Sequence, residues 1–250
     1  MTGIGGSAPV RRGFLLLWRE FAAAAALLGL LGGLGAAWFS LPRPTLMSAS
    51  LVLAVICALL AHYWPHAARS LGAANRVTLT RAVLVALVAG ALATPEWART
   101  HAVLVAAVAG GALLLDGVDG WVARRWRCES AFGARFDMEL DAFLILVLSA
   151  LLLMLGKAGA WVLAIGAMRY VFVGAMPRWP WLDRPLPPSP RRKWVCVWQV
   201  ASLLLCLLPA VSAAVAGVLL ALALVLLAWS FAVDVRGLYA AQREEAVQPW

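Results

Sequence analysis

Charge is scarce in this chain of 250 residues. Asp, Glu, Lys and Arg together make up 13% of it, against about 25% in an average soluble domain. Hydrophobic residues make up 64%. A soluble fold cannot hide that much apolar surface, so the bilayer must serve as the solvent for most of the chain. Cysteine is also sparse. Cys57, Cys128, Cys196 and Cys206 form no CxxC pair, which excludes a zinc site and a disulfide framework and leaves isolated thiols. Histidine occurs three times. His62 and His66 stand four apart, as a helical metal pair would, but Pro65 between them at a span end makes the segment an interfacial turn. His101 reads as a loop residue. No internal repeat or long linker is present. Arg11-Arg12-Gly13-Phe14-Leu15 has the look of a twin-arginine export signal, but no hydrophilic domain follows for it to export. It reads instead as a positive flank that orients the first span.

Acidic residues are the rarer sign, and the net charge is +9. In a soluble protein that excess would point to nucleic acid. Here it sits in short loops between apolar spans, so it speaks for membrane orientation and anionic ligands, with no nucleic-acid partner. Eight apolar spans are expected: 21–39, 46–64, 77–95, 102–122, 138–156, 158–177, 195–210 and 213–234. Most approach the ~20 residues that a helix needs to cross the hydrocarbon core. The seventh is short, and Pro209 and Ser212 suggest a tight hairpin into the eighth. With this count, eighteen of the 21 basic residues fall on one side, and only Arg43, Arg99 and Lys157 on the other. The positive-inside rule then places both termini and the even-numbered loops in the cytoplasm. Tryptophans such as Trp18, Trp38, Trp64, Trp97, Trp121, Trp161 and Trp194 fall near span ends, as belt tryptophans do. The Pro- and Arg-rich segment 178–193 is the longest polar connection and the only one long enough to cover a site.

Against that apolar background, residues 116–141 read DGVDGWVARRWRCESAFGARFDMELD. Asp116, Asp119, Asp137 and Asp141 flank two spans. A charge inside a span costs about 2.5–3.5 kcal/mol even on the lenient insertion scale, so four such groups need water, a cation, or both. Their spacing is helical. Asp116 and Asp119 share a face at the end of span four, and Asp137 and Asp141 share one at the start of span five. The basic connection lets these two ends face each other, so four carboxylates converge. Hard oxygen ligands favour Mg²⁺, Mn²⁺ or Ca²⁺ over zinc. Four carboxylates can hold two ions about 3.5–4 Å apart, the arrangement used for in-line phosphoryl displacement. Glu139 lies roughly 200° around the helix from Asp137 and is not counted as a ligand. Gly120 and Ala123 on the aspartate face, and Gly133 at the start of span five, let a phosphate or nucleotide approach the backbone closely.

The pattern Asp116-x2-Asp119-Gly120-x2-Ala123-Arg124-x8-Gly133-x3-Asp137-x3-Asp141 resembles the signature of the CDP-alcohol phosphatidyltransferases at every fixed position. The resemblance implies an all-α integral membrane protein with a six-helix core and two divalent ions, Mg²⁺ or Mn²⁺. It implies that Asp116, Asp119 and Asp137 bind metal, and that Asp141 is the general base with a share in metal binding. It places Gly120, Ala123, Arg124 and Gly133 at the nucleotide and phosphate. Arg124 would pair with phosphate or with an aspartate, beside its plainer role as a positive-inside arginine. Asn75-x2-Thr78-x2-Arg81 looks like the family's stretch that opens the first core helix near the nucleotide. Lys193 and Gln199 match a further family stretch, Lys-x-Lys-Thr-x2-Gln, but Val195 and Cys196 replace its second lysine and its threonine. That departure weighs against a specific acceptor assignment. The resemblance runs from residue 75 to about 235, so the expected domains are an N-terminal two-helix hairpin (1–66), a catalytic membrane domain (67–236) and a cytoplasmic tail (237–250).

The implied reaction moves a phosphatidyl group from a CDP-alcohol, here CDP-diacylglycerol, to a small acceptor alcohol and releases CMP. Lipid tails would stay among the membrane lipids while the head group enters from the cytoplasm, and the expected location is a plasma membrane, taken as a bacterial inner one. Arg169, Arg191, Arg192 and Lys193 form either an anionic pocket for a phosphorylated acceptor, such as glycerol 3-phosphate, or a surface for anionic lipid head groups. Relatives are often homodimers, and the same assembly is an expectation here. Two other readings compete. An intramembrane Mg²⁺-dependent prenyltransferase uses similar chemistry but keeps its two acidic motifs on distant helices. A non-enzymatic cation-transporting or lipid-binding protein would want its carboxylates near the bilayer midplane, not at span ends.

Overall fold

The computed structural model describes the backbone of residues 7–64, 72–126, 131–184, 186–187 and 189–247, and the side chains of 16–64, 75–117, 132–184, 186–187 and 189–243. Among the described residues there are nine α-helices: α1 (Ser7–Phe39), α2 (Arg43–His62), α3 (Gly72–Gly90), α4 (Pro95–Thr100), α5 (Ala102–Trp126), α6 (Ala131–Met154), α7 (Leu163–Ala175), α8 (Pro190–Leu207) and α9 (Ala213–Val247). Each of the eight expected spans falls on one of them. The ninth, α4, starts where Thr94 precedes Pro95, a residue suited to the first helical turn because the amide it lacks would have no partner there. Chain reversals are also local in origin. The α1–α2 turn passes through Ser40 at φ 49°, and the Leu41 N–H returns to the Gly35 carbonyl at 3.1 Å. Helix α6 ends at Gly156, whose φ of 71° favours glycine. The Gly156 and Lys157 amides cap the carbonyls of Leu153 and Leu152 at 3.0 and 2.9 Å. Beyond Pro209, the Ser212 carbonyl accepts the Ala216 amide at 2.9 Å and so opens α9.

Among the described residues, four helical stretches are long and apolar enough to cross a membrane: Leu16–Phe39, Arg43–His62, Asn75–Ala93 and Ala213–Arg243. Helices α5 and α7 carry shorter apolar stretches, Ala102–Gly117 and Ala160–Ala175. Charge sets α6 and α8 apart: Asp137, Glu139 and Asp141 occupy the first half of α6, and α8 opens on Arg191, Arg192 and Lys193. Helix α7 is short, and the stretch of α5 ends where its described side chains end. Apolar side chains that face outward are large and numerous: Leu30, Met47, Leu51, Leu114, Val171 and Val218 are each at least 60% exposed. Water would penalise such a surface, whereas a bilayer accepts it.

The helices gather into two compact units, Met1–Leu144 and Ile145–Trp250, with the division inside α6. In the first, α3 is central. Its apolar span is 61% buried, against 22% for α1 and for α2, so α3 is enclosed by protein while the other two leave most of their apolar surface uncovered. Ala82, Val83, Val85, Ala86 and Val88 of α3 are almost fully buried, and Ala109 and Ala112 of α5 are fully buried. Small residues set the spacing, as in other membrane bundles. A side chain at Gly90 would meet the Thr45 carbonyl and the Ala49 side chain of α2. Thr45 also hydrogen-bonds Thr94 hydroxyl to hydroxyl at 2.7 Å, which pins α2 beside the end of α3.

In the second unit α8 and α9 pack through Leu203, Cys206 and Leu207 on one side and Ala216, Leu220 and Ala223 on the other. Gly166 of α7 lies against the Leu146 backbone, where any side chain would collide. The Lys157 ammonium donates to the carbonyls of Leu208 and Val211 and so satisfies groups left open where α8 ends.

Candidate metal centre

The first unit brings three helices to one charged point. Arg81 lies in the middle of α3 and is 1% exposed. Its guanidinium pairs with three carboxylates: Nη1 stands 2.9 Å from Oδ1 of Asp116 and also binds Oδ1 of Asp137, and Nη2 reaches Oδ1 of Asp141 at 2.5 Å. The third edge of the guanidinium, Nε, donates to the Ala112 carbonyl at 3.0 Å. Ala112 and Asp116 are one turn apart on α5, and Asp137 and Asp141 are one turn apart on α6. A single planar fork therefore meets one face of each helix. Such a charge is tolerable inside an apolar bundle only because its donors are satisfied by charged and backbone acceptors.

The three aspartates are about one-third exposed, while the arginine behind them is covered. One oxygen from each of Asp116, Asp137 and Asp141 can be chosen so that all lie within 4.8 Å of one another. This is a hard, anionic oxygen set without sulfur or imidazole, which suits Mg²⁺ or Mn²⁺ and not zinc. The donor set therefore fits the divalent ions expected from the sequence. Glu139 does not belong to the group, in keeping with its position around the helix.

Other predicted residues fall around this centre with different standing. Asp119, Gly120, Ala123 and Arg124 lie on α5, but their side chains are outside the described residues. Gly133 is buried near the start of α6. Thr78 is buried one turn before Arg81 on α3, and Asn75 is half-buried one turn earlier still. A cavity of about 410 Å³ in this unit is lined by apolar residues such as Leu34, Phe39, Leu87 and Val105; none of the three aspartates borders it. Its apolar lining offers no partner to a phosphate.

The basic residues read as an acceptor pocket lie in the second unit. Arg191 in the first turn of α8 binds the Asp234 carboxylate and donates to the Ser230 carbonyl at 2.7 Å, both on α9. Its guanidinium also stands 5.6 Å from the centre of the Trp229 ring. Arg192 donates to the Pro187 carbonyl and lies 3.9 Å from Asp234. Lys193 follows in the same turn, so 190–193 is helix where the sequence suggested loop. Ser189 and Pro190, a favoured helix opening, account for the earlier start. Gln199 is buried and donates to the Ile165 carbonyl of α7 at 3.4 Å. Arg169 lies on α7, half-buried. Asp234 was missed in the sequence. Its signal was an acid within an apolar run, Ser230-Phe231-Ala232-Val233-Asp234, the kind of residue that needs a partner. His66 and Cys128 lie outside the described residues, while Cys57, Cys196 and Cys206 are in no disulfide.

An all-helical membrane protein with a carboxylate cluster about one-third exposed among its helices has a place for a cationic group. Comparison with known families gives that class a definite member. The profile of the CDP-alcohol phosphatidyltransferase family matches residues 71–229, and the chain belongs to this family. No curated protein and no solved structure gave a significant match. Membership makes the chain an enzyme of the class that transfers a phosphatidyl group from a CDP-alcohol, a class generally dependent on divalent metal. The match runs from α3 into α9 and leaves α1 and α2 outside it.

Proposed function

We propose that the enzyme transfers the phosphatidyl group of CDP-diacylglycerol to the hydroxyl of a phosphorylated polyol, such as glycerol 3-phosphate, and releases CMP. The observation that carries this reading is the convergence of Asp116, Asp137 and Asp141 on one small volume within the family match. Asp119 joins them on sequence grounds, one turn from Asp116. Mg²⁺ or Mn²⁺ held by these four aspartates would neutralise the diphosphate and stabilise the departing CMP. The acceptor oxygen forms a bond to the phosphatidyl phosphorus as the bond from that phosphorus to the CMP oxygen breaks. Asp141 takes the hydroxyl proton, for which a carboxylate oxygen within hydrogen-bond reach is required. Gly120, Ala123 and Gly133 leave room for the nucleotide and its phosphates, and Arg124, Asn75 and Thr78 supply polar contacts to them.

Arg169 in the middle of α7 and Arg192 and Lys193 in the first turn of α8 support an anionic acceptor, since cations attract a second phosphate. Arg191 supports it less directly, because Asp234 already takes up its charge. The basic excess on one side of the spans supports a cytoplasmic site in a plasma membrane. The family match beginning at residue 71 supports a hairpin, 1–66, added ahead of a catalytic domain, 67–236. The test is CMP release from CDP-diacylglycerol in detergent with Mg²⁺ or Mn²⁺, with glycerol 3-phosphate, inositol phosphate, inositol, serine and choline offered in parallel. Release that depends on glycerol 3-phosphate or inositol phosphate is expected. Release with serine or choline alone would replace the acceptor, and no release with any acceptor would overturn the transferase reading.

A further inference from the structure

We propose that Arg81 is a positioning residue that sets the spacing of the metal-binding carboxylates, and not a contact to the nucleotide. This rests on the reading that Asp116, Asp137 and Asp141 hold a divalent ion. Sequence resemblance alone puts Arg81 beside the nucleotide, with Asn75 and Thr78. The geometry points elsewhere. The guanidinium is buried behind the aspartates, its two terminal nitrogens pair with all three carboxylates, and its Nε is held by the Ala112 carbonyl. At 1% exposure it presents no edge for an incoming phosphate.

Three properties follow from that placement. First, the fork ties α3, α5 and α6 together at the level of the ligands, so that the distance between Asp116 and the Asp137–Asp141 pair is fixed before any substrate arrives. Preorganised ligands of this kind depend on the groups that orient them. Second, charge balances. The guanidinium offsets one of the negative charges that Asp116, Asp137 and Asp141, with Asp119 beside them in the chain, gather at this point, and divalent cations offset those that remain. Third, lysine cannot replace it. An ammonium is a point charge and does not span three acceptors and a backbone carbonyl in one plane.

The test is Mn²⁺ binding to the purified full-length protein in detergent without nucleotide, followed by electron paramagnetic resonance, for wild type, R81K and R81Q. CDP binding at saturating Mn²⁺ and the melting temperature are measured alongside. R81K is expected to weaken Mn²⁺ binding at least tenfold, with CDP affinity at saturating Mn²⁺ changed less than threefold. R81K that binds Mn²⁺ within twofold of wild type, or that loses CDP affinity while keeping Mn²⁺ affinity, would overturn the proposal. If neither variant keeps the wild-type melting temperature, wild-type protein labelled with [¹⁵N]arginine decides. Mg²⁺ without nucleotide should shift a slowly exchanging guanidinium resonance, and CDP without metal should leave it in place; the reverse pattern overturns the assignment. Wild type that binds no Mn²⁺ at all would instead remove the underlying reading of the carboxylates, an outcome distinct from failure of the arginine's role alone.

Discussion

Nη2 of Arg81 stands 2.5 Å from Oδ1 of Asp141, and the two residues come from different helices 60 positions apart in the chain. The same guanidinium also holds Asp116 and Asp137. If Asp141 loses its charge, the arginine therefore keeps two other carboxylate partners, Asp116 and Asp137, both on Nη1.

Asp141→Asn should consequently separate chemistry from folding. Removing a general base costs typically 10²–10⁴-fold in rate. CMP release should fall within that range while the melting temperature in detergent stays within a few degrees of wild type, since Arg81 remains paired. A variant that retains more than a tenth of wild-type turnover would rule out Asp141 as the base.

Hard oxygen ligands make a second prediction. Chelation by EDTA should abolish CMP release, and Mg²⁺ or Mn²⁺ should restore it, whereas Zn²⁺, which favours nitrogen and sulfur ligands, should not. Asp137→Ala should not be rescued by any of these ions at concentrations that saturate wild type. Full activity in the presence of EDTA, after exhaustive dialysis, would contradict a carboxylate metal centre.

Much of this was legible in one dimension because charge inside a membrane is costly and helices repeat regularly. The four aspartates stand three and four residues apart, so their shared faces follow from helical geometry alone, and the cluster of Asp116, Asp137 and Asp141 is where that spacing puts it. Helix positions were legible for the same reason, down to the break at Pro209 and Ser212. Long-range partners were not. Nothing in Thr80-Arg81-Ala82 says that the arginine turns towards α5 and α6, because that depends on how closely the Ala-rich face of α3 packs on Ala109 and Ala112. Asp234 is hard to read from sequence on similar grounds: its partner, Arg191, lies 43 residues away in a basic run that equally suits an anionic acceptor or lipid head groups.

That second pair yields a third prediction. Arg191 and Asp234 are mostly buried, at 19% and 15% exposure, so removing either one leaves the other charge poorly solvated. Arg191→Ala and Asp234→Ala should each lower stability by about 1–3 kcal/mol. The double variant should be less destabilised than the sum, with a coupling of roughly 0.5–3 kcal/mol. Thermal unfolding of the four proteins in one detergent measures this cycle. Additive losses would show that the pair contributes nothing beyond two separate packing effects, and would return Arg191 to the acceptor side of the argument.

Orientation can be tested without touching the chemistry. On the eight-span reading of the sequence, eighteen of the 21 basic residues fall to one side, among them Arg124 and Arg125 at the end of α5 and Arg127 in the connection to α6. Retaining positive loops in the cytoplasm fixes topology most strongly when they are short, as this one is. Cys128 sits within it and offers a natural probe once Cys57, Cys196 and Cys206 are replaced by serine or alanine. A membrane-impermeant maleimide added to intact cells should leave Cys128 unmodified, and should modify it after the membrane is opened. Modification from outside would place the aspartate-bearing helix ends on the external face. A CDP-alcohol donor made in the cytoplasm would then have no route to them, so the topology and the proposed reaction would fall together.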